Sequence, residues 1–130
     1  MVSTNLRARF TDTMVSTASR ERLVTMCYDR VVRDLHESIA AIEAGHTSVA
    51  HHALVHAQEL IAELESALDV ALWPPGRDLV RLYGFVRSRL LDANLHKTVL
   101  PVKDCLSVIE PLATAWHEAY RSRAASGVPT

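Results

Sequence analysis

The stretch AHHALVHAQELIAELESAL, residues 50 to 68, decides the fold. Its apolar residues return every three or four positions: Ala50, Ala53, Leu54, Ala57, Leu60, Ile61, Leu64 and Leu68. At about 100° per residue they form one stripe, the pattern of an amphipathic helix. Reading outward, Gly45, His46 and Thr47 precede the stretch, and Trp73-Pro74-Pro75-Gly76 follows it. These breaks predict a helix over residues 47–72. A third break, Lys97 to Pro101, divides the rest, so the chain reads as four segments: 20–44, 47–72, 76–96 and one from about residue 101.

The other segments repeat the pattern. Val24, Cys27, Tyr28, Val31, Leu35, Ile39 and Ile42 share one side of the first, with Ser19 as its expected N-cap. Leu79, Leu82, Tyr83, Val86, Leu90 and Ala93 share a side of the third. Val102, Cys105, Leu106, Ile109, Leu112, Ala113, Trp116 and Tyr120 do so in the fourth, where Pro101 suits a first-turn position. Nothing alternates with period two over a strand's length. Matched amphipathic rods joined by short breaks predict an all-α, antiparallel four-helix bundle. The expected organisation is an N-terminal segment 1–19 able to pack on the bundle, the bundle over 20–123, and a disordered tail 124–130. Pro111 interrupts the fourth segment, where it removes a hydrogen bond. A kink is expected there, because the stripe stays in phase from Ile109 to Trp116.

Composition sets outer limits. The chain has 130 residues, 48% apolar and 22% charged, with a formal net charge of −1. That balance fits one folded domain and argues against disorder. It also argues against a nucleic-acid partner, which calls for a basic excess. No apolar run approaches the ~18 residues of a membrane span, so no membrane insertion is expected. The opening MVSTNLRARFTDTMVSTAS contains no apolar signal core. Two cysteines are too few for a disulfide framework. A cytoplasmic location follows as the expectation. Residues 46 to 72 hold four acids and no Lys or Arg, whereas 73 to 98 hold five bases and two acids. Opposite signs on consecutive helices favour their pairing.

Seven histidines invite a search for chemistry. His52 and His56 stand at the i, i+4 spacing that can grip one metal ion. They fall about 100° or more from the centre of the apolar stripe, and no Glu-x-x-His pair accompanies them. A solvated flank is therefore expected, with no metal and no cofactor. Cys27 and Cys105 lie on apolar faces and read as buried, inert thiols. No phosphate loop, nucleophile elbow or metalloprotease signature occurs, so no enzyme is expected. A His-phosphotransfer bundle centred on His56 is the alternative function, although Ala57, Gln58 and Glu59 follow that histidine and the neighbourhood is acidic.

Apolar residues remain once the core stripes are assigned. Val80, Gly84, Ser88, Leu91 and Leu95 form a second line on the third segment, and Val108, Pro111, Ala115 and Ala119 one on the fourth. Small residues on such lines admit another backbone, and apolar rims hold it. The same lines could equally widen the core face or meet the N-terminal segment.

Five pieces stand in a telling order: FTDTMVSTAS (residues 10–19), LVTMCYD (23–29), AQELIAELESALD (57–69), LVRLYGFVRSRLLDAN (79–94) and Trp116. Together they resemble the flagellin-specific export chaperones, the FliS family, from about Phe10 to Tyr120. The resemblance implies a cytoplasmic helical bundle that binds the C-terminal helical segment of flagellin. It implies that the bundle prevents premature polymerisation and delivers flagellin to the flagellar type III export apparatus, with an export-gate subunit as a further partner. Phe10 stands where the family usually has Tyr, Arg20 where it often has Pro, and Cys27-Tyr28-Asp29-Arg30 where Leu-Tyr-Asp-Gly is common. The expected contact residues are Val80, Gly84, Leu91, Leu95, Val108 and Ala115, joined by Leu60 and Leu64. Phe10 and Val15 are the expected N-terminal lid. Tyr28, Tyr83 and Trp116 are expected in the core or groove floor, and Asp69 and Asn94 in loop or helix-end hydrogen bonds. A monomer or weak homodimer is expected.

Overall fold

The computed structural model describes residues 17–68 and 75–126. They form α1 (Thr17–Glu43), α2 (Thr47–Ser66), α3 (Gly76–His96) and α4 (Leu100–Ser126), and no strand among the described residues. At 1.5 Å per residue the rods are about 30 to 40 Å long. Each helix packs on the next and α4 closes on α1, which leaves α1 and α3 on one diagonal of a four-helix bundle. The predicted architecture is the one observed.

The four stripes meet in a single core. Tyr28, Val31 and Leu35 of α1, Leu54 and Ile61 of α2, Val86 and Leu90 of α3, and Val102, Cys105 and Ile109 of α4 are each fully buried. Val24, Ile39, Ile42, Leu79, Leu112 and Trp116 pack against them from its edge. Two phenols lie inside this apolar volume and answer each other: the hydroxyls of Tyr28 and Tyr83 share a hydrogen bond across the diagonal. Trp116 stacks on Tyr28 at 6.3 Å between ring centroids. An unpaired buried hydroxyl costs about 1 to 3 kcal/mol. Pairing removes that cost, and no buried side-chain N or O among the described residues lacks a partner.

Local chemistry sets the ends. Gly45 adopts a left-handed φ of +75°, His46 N–H returns to Ala41 O at 2.8 Å and Gly45 N–H to Ile42 O at 3.1 Å. That paired closure ends α1 where a residue without Cβ stands, and turns the chain into α2. Lys97 also takes a left-handed φ, 53°, at the end of α3. Its ammonium donates to Asn94 Oδ1 at 2.8 Å and to the Asn94 carbonyl, so the side chain covers the helix end.

Three boundaries differ from expectation. Helix α1 begins at Thr17, so Ser19 lies inside it and is not the cap. Helix α2 ends at Ser66 rather than at residue 72: Ala67 N–H still reaches Glu63 O, but Leu68 N–H tightens onto Glu65 O at 3.2 Å. Residues 69–74, with Asp69, lie outside the described residues. Helix α4 continues to Ser126, into the stretch expected as tail. It also runs unbroken through Pro111. Pro111 and Ser107, whose carbonyl is left without its helical donor, are both exposed residues.

Candidate partner-binding surface

Cross-helix pairs fix which flank of each helix meets which neighbour. Arg87 Nε lies 2.9 Å from Glu65 Oε1, and the Asn94 amide donates to His51 Nδ1 at 3.0 Å; both join α3 to α2. Arg89 reaches Asp104 at 3.4 Å on the opposite flank, joining α3 to α4. The expected pairing of acidic α2 with basic α3 is realised in Arg87–Glu65.

This frame locates the two spare lines. At about 100° per residue, Val80, Gly84, Leu91 and Leu95 lie about 20° to 80° beyond Arg87, on the solvent side of the α2/α3 seam. Val108, Pro111 and Ala115 lie within about 40° of Asp104, beside the α3/α4 seam. The lines therefore do not converge on one groove. They flank α3, which stands between them as a ridge.

Exposure differs among the expected contact residues. Leu91 is 62% exposed and Leu95 is 76% exposed. Val80 and Gly84 are half-buried, and a Cβ placed on Gly84 would meet no atom within 4 Å. Ala115 is exposed, whereas Val108 is half-buried against the core. Leu60 and Leu64 require correction: they are only 4% and 3% exposed, within the core cluster. Helix α1 covers Leu60, whose carbonyl accepts from the Cys27 thiol at 3.8 Å. Phe10 and Val15 lie outside the described residues.

Sequence reasoning missed Phe85, 45% exposed, which sits on the α3 ridge about 40° from Arg89 and belongs to neither line. It also missed Leu100, 66% exposed, and Val49, 45% exposed. Both open their helices, where an apolar residue falls outside any stripe long enough to be noticed. The His51–Asn94 pair sets the start of α2 beside the end of α3, so Val49, Leu95 and Leu100 all belong to one end of the bundle.

The α1/α2 flank is polar. An open cleft of about 390 Å³ lies there, with Arg30, Asp34, Glu37, His52, His56 and Glu59 among its lining. Asp34 is nearly wholly buried; one oxygen accepts from His56 Nδ1 and the other from Arg30 Nε at 3.3 Å. Burial raises the Asp34 carboxyl above its usual value, outweighing the opposite pull of His56 and Arg30. His56 thus departs from the expected solvated flank: it is partly buried and held by Asp34. His52 bonds instead to Ser48 O at 2.8 Å, so the two rings serve different partners. Cys27 and Cys105 are buried and free, and burial pushes each thiol up to about 12. Neither thiol is set to act as a nucleophile at neutral pH.

The outer face of α3 thus carries solvent-facing Leu91 and Leu95 along the line of the open Gly84. The chain matches the family model described as "Flagellar protein FliS" over residues 3–123. It is 29% identical over 116 residues to the "Flagellar secretion chaperone FliS" of Escherichia coli (strain K12), covering 85% of this chain and 83% of that protein.

Proposed function

The chain belongs to the FliS family of flagellar proteins, and from that premise we propose that it is a cytoplasmic chaperone for flagellin. In this reading it binds the C-terminal helical segment of flagellin, prevents early polymerisation and hands the client to the type III export apparatus, where an export-gate subunit is a second partner. It works by binding and release rather than by catalysis. The supporting observation is the outer face of α3, where Leu91 and Leu95 stand in solvent along the line of the open Gly84. An amphipathic client helix would cover those leucines and bring its backbone close at Gly84. Ordering a client on binding loses about 2 to 5 kcal/mol of the gross interaction, which keeps the complex releasable. Phe10 and Val15 complete the proposal as a lid over the empty surface.

Calorimetric titration with a peptide from the C-terminal end of flagellin tests this. Heat with the natural peptide, and none once its apolar residues are made polar, is the expected result. Absence of heat with the natural peptide overturns the reading. Deleting residues 1 to 15 is expected to tighten binding, and unchanged affinity removes the lid. A phosphorylatable His56 gains no support, because its Nδ1 faces Asp34 and Glu59 stands one turn away.

A further inference from the structure

Five bases lie between residues 73 and 98, and the bundle uses three of them. Arg87 fastens α3 to Glu65 of α2, and Arg89 reaches Asp92 and, on α4, Asp104. The Lys97 ammonium covers the end of α3 on Asn94. Neither Arg77 nor Arg81 fastens α3 to another described helix. Arg77 is exposed and Arg81 is 83% exposed; Asp78, beside Arg81 on the same helix at 4.0 Å, is 84% exposed.

Both arginines share the outer face with Gly84, Leu91 and Leu95. At about 100° per residue, Arg77 lies about 80° beyond Arg87, in line with Leu95, and Arg81 about 120° beyond it. Gly84 stands seven residues from Arg77 and seven from Leu91. Each is therefore two turns away, about 10.5 Å along the axis. The face is graded: guanidiniums near Gly76, an open backbone at Gly84, leucines toward His96.

We propose that this grading sets the direction of the client helix. It lies antiparallel to α3, with its apolar residues on Leu91 and Leu95 and its C-terminal carboxylate between Arg77 and Arg81. The inference rests on the flagellin reading above, in which the bound segment is the end of its chain. That end carries a full negative charge, and a helix adds about half a charge of the same sign at its C-terminus. An antiparallel client brings both to the guanidiniums, whose paired donors suit a carboxylate. The reverse direction would set the carboxylate beside Leu95. There Asp92 already lies between Arg89 and His96, and Asn94 takes up the Lys97 ammonium. Spacing sets the register too. Two helices approach closest where no Cβ intervenes, so the client crosses Gly84 about seven residues from its end and reaches Leu91 about fourteen from it.

Two peptides of about 20 residues, long enough to run from Arg77 to Leu95, test this by calorimetric titration into the full-length chain at low salt. Both copy the end of flagellin; one keeps the free carboxylate and the other ends in an amide. The free acid is expected to bind about fivefold tighter, the scale of two exposed ion pairs. That preference is expected to shrink toward unity in about 0.5 M sodium chloride. It is expected to vanish in Arg77→Gln combined with Arg81→Gln, which removes no contact between described helices. Equal affinity for acid and amide in the natural chain, or tighter binding of the amide, overturns the proposed direction and leaves the flagellin reading standing. Binding of neither peptide overturns both. A preference that survives in the glutamine pair seats the carboxylate elsewhere and overturns the proposal.

Discussion

Leu90 and Leu91 are neighbours in the chain and opposites in the bundle. The first is fully buried and the second is 62% exposed. Burying a leucine is worth about 1.5 to 3 kcal/mol, a gain that Leu91 forgoes in the free protein. The contrast extends along α3: Tyr83, Val86 and Ala93 complete the inner face, while Gly84 and Leu95 share the outer one with Leu91. Stability resides on one side of this helix. The other side offers apolar surface that the bundle itself does not use.

The largest expected effect tests the inner face. Leu90→Ala should lower unfolding free energy by about 2 to 5 kcal/mol, whereas Leu91→Ala should stay within about 0.5 kcal/mol, both read by urea denaturation. Equal losses would break the contrast between the faces. The next effect reverses the roles. Leu91→Asp with Leu95→Asp should weaken binding of the flagellin peptide by about 2 kcal/mol or more, roughly thirtyfold, with an unchanged urea midpoint. Gly84→Ala sharpens the same comparison. The new Cβ meets no atom of the free protein, so stability should rise by about 0.5 to 1 kcal/mol in thermal unfolding. Peptide affinity should fall if a client backbone approaches there.

The smallest expected effect takes the comparison to α1, whose inward flank holds a carboxylate rather than a leucine. Asp34 has its folded pKa raised by burial. Its protonated form is therefore favoured by folding, and stability declines as pH rises from about 4 through the raised value. Asp34→Asn should flatten that part of the stability–pH curve, measured by denaturant midpoints from pH 4 upward. A slope identical to that of the natural chain would assign the pH dependence to other groups.

How much of this was legible in the sequence follows from which effects are local. The period of the apolar residues set the four helices, and the Pro–Gly break before Gly76 and Lys97 after His96 bounded α3 as observed. The end of α2 was not legible, because Leu68 and Ala71 continue the apolar stripe with no Gly or Pro to stop it. Leu60 and Leu64 show a second limit. The width of a buried arc depends on how far a neighbouring helix wraps over it, and α1 covers Leu60. His56 shows a third: its partner Asp34 lies on another helix, and only the axial register of α1 against α2 brings them together. The exposed leucines of α3 were legible, since they left the stripe in a line of their own. Phe85 was not, because an isolated aromatic forms no line.

The phenol pair at the heart of the bundle bears on how the four rods keep their places. Leucines and alanines tolerate sliding by one helical turn, about 5.4 Å, because one greasy knob resembles the next. Two buried hydroxyls that bond to each other do not: such a slip would part Tyr28 from Tyr83 inside the apolar core. They work as a keyed pin between rods at opposite corners of the square, and so fix the height of α1 against α3.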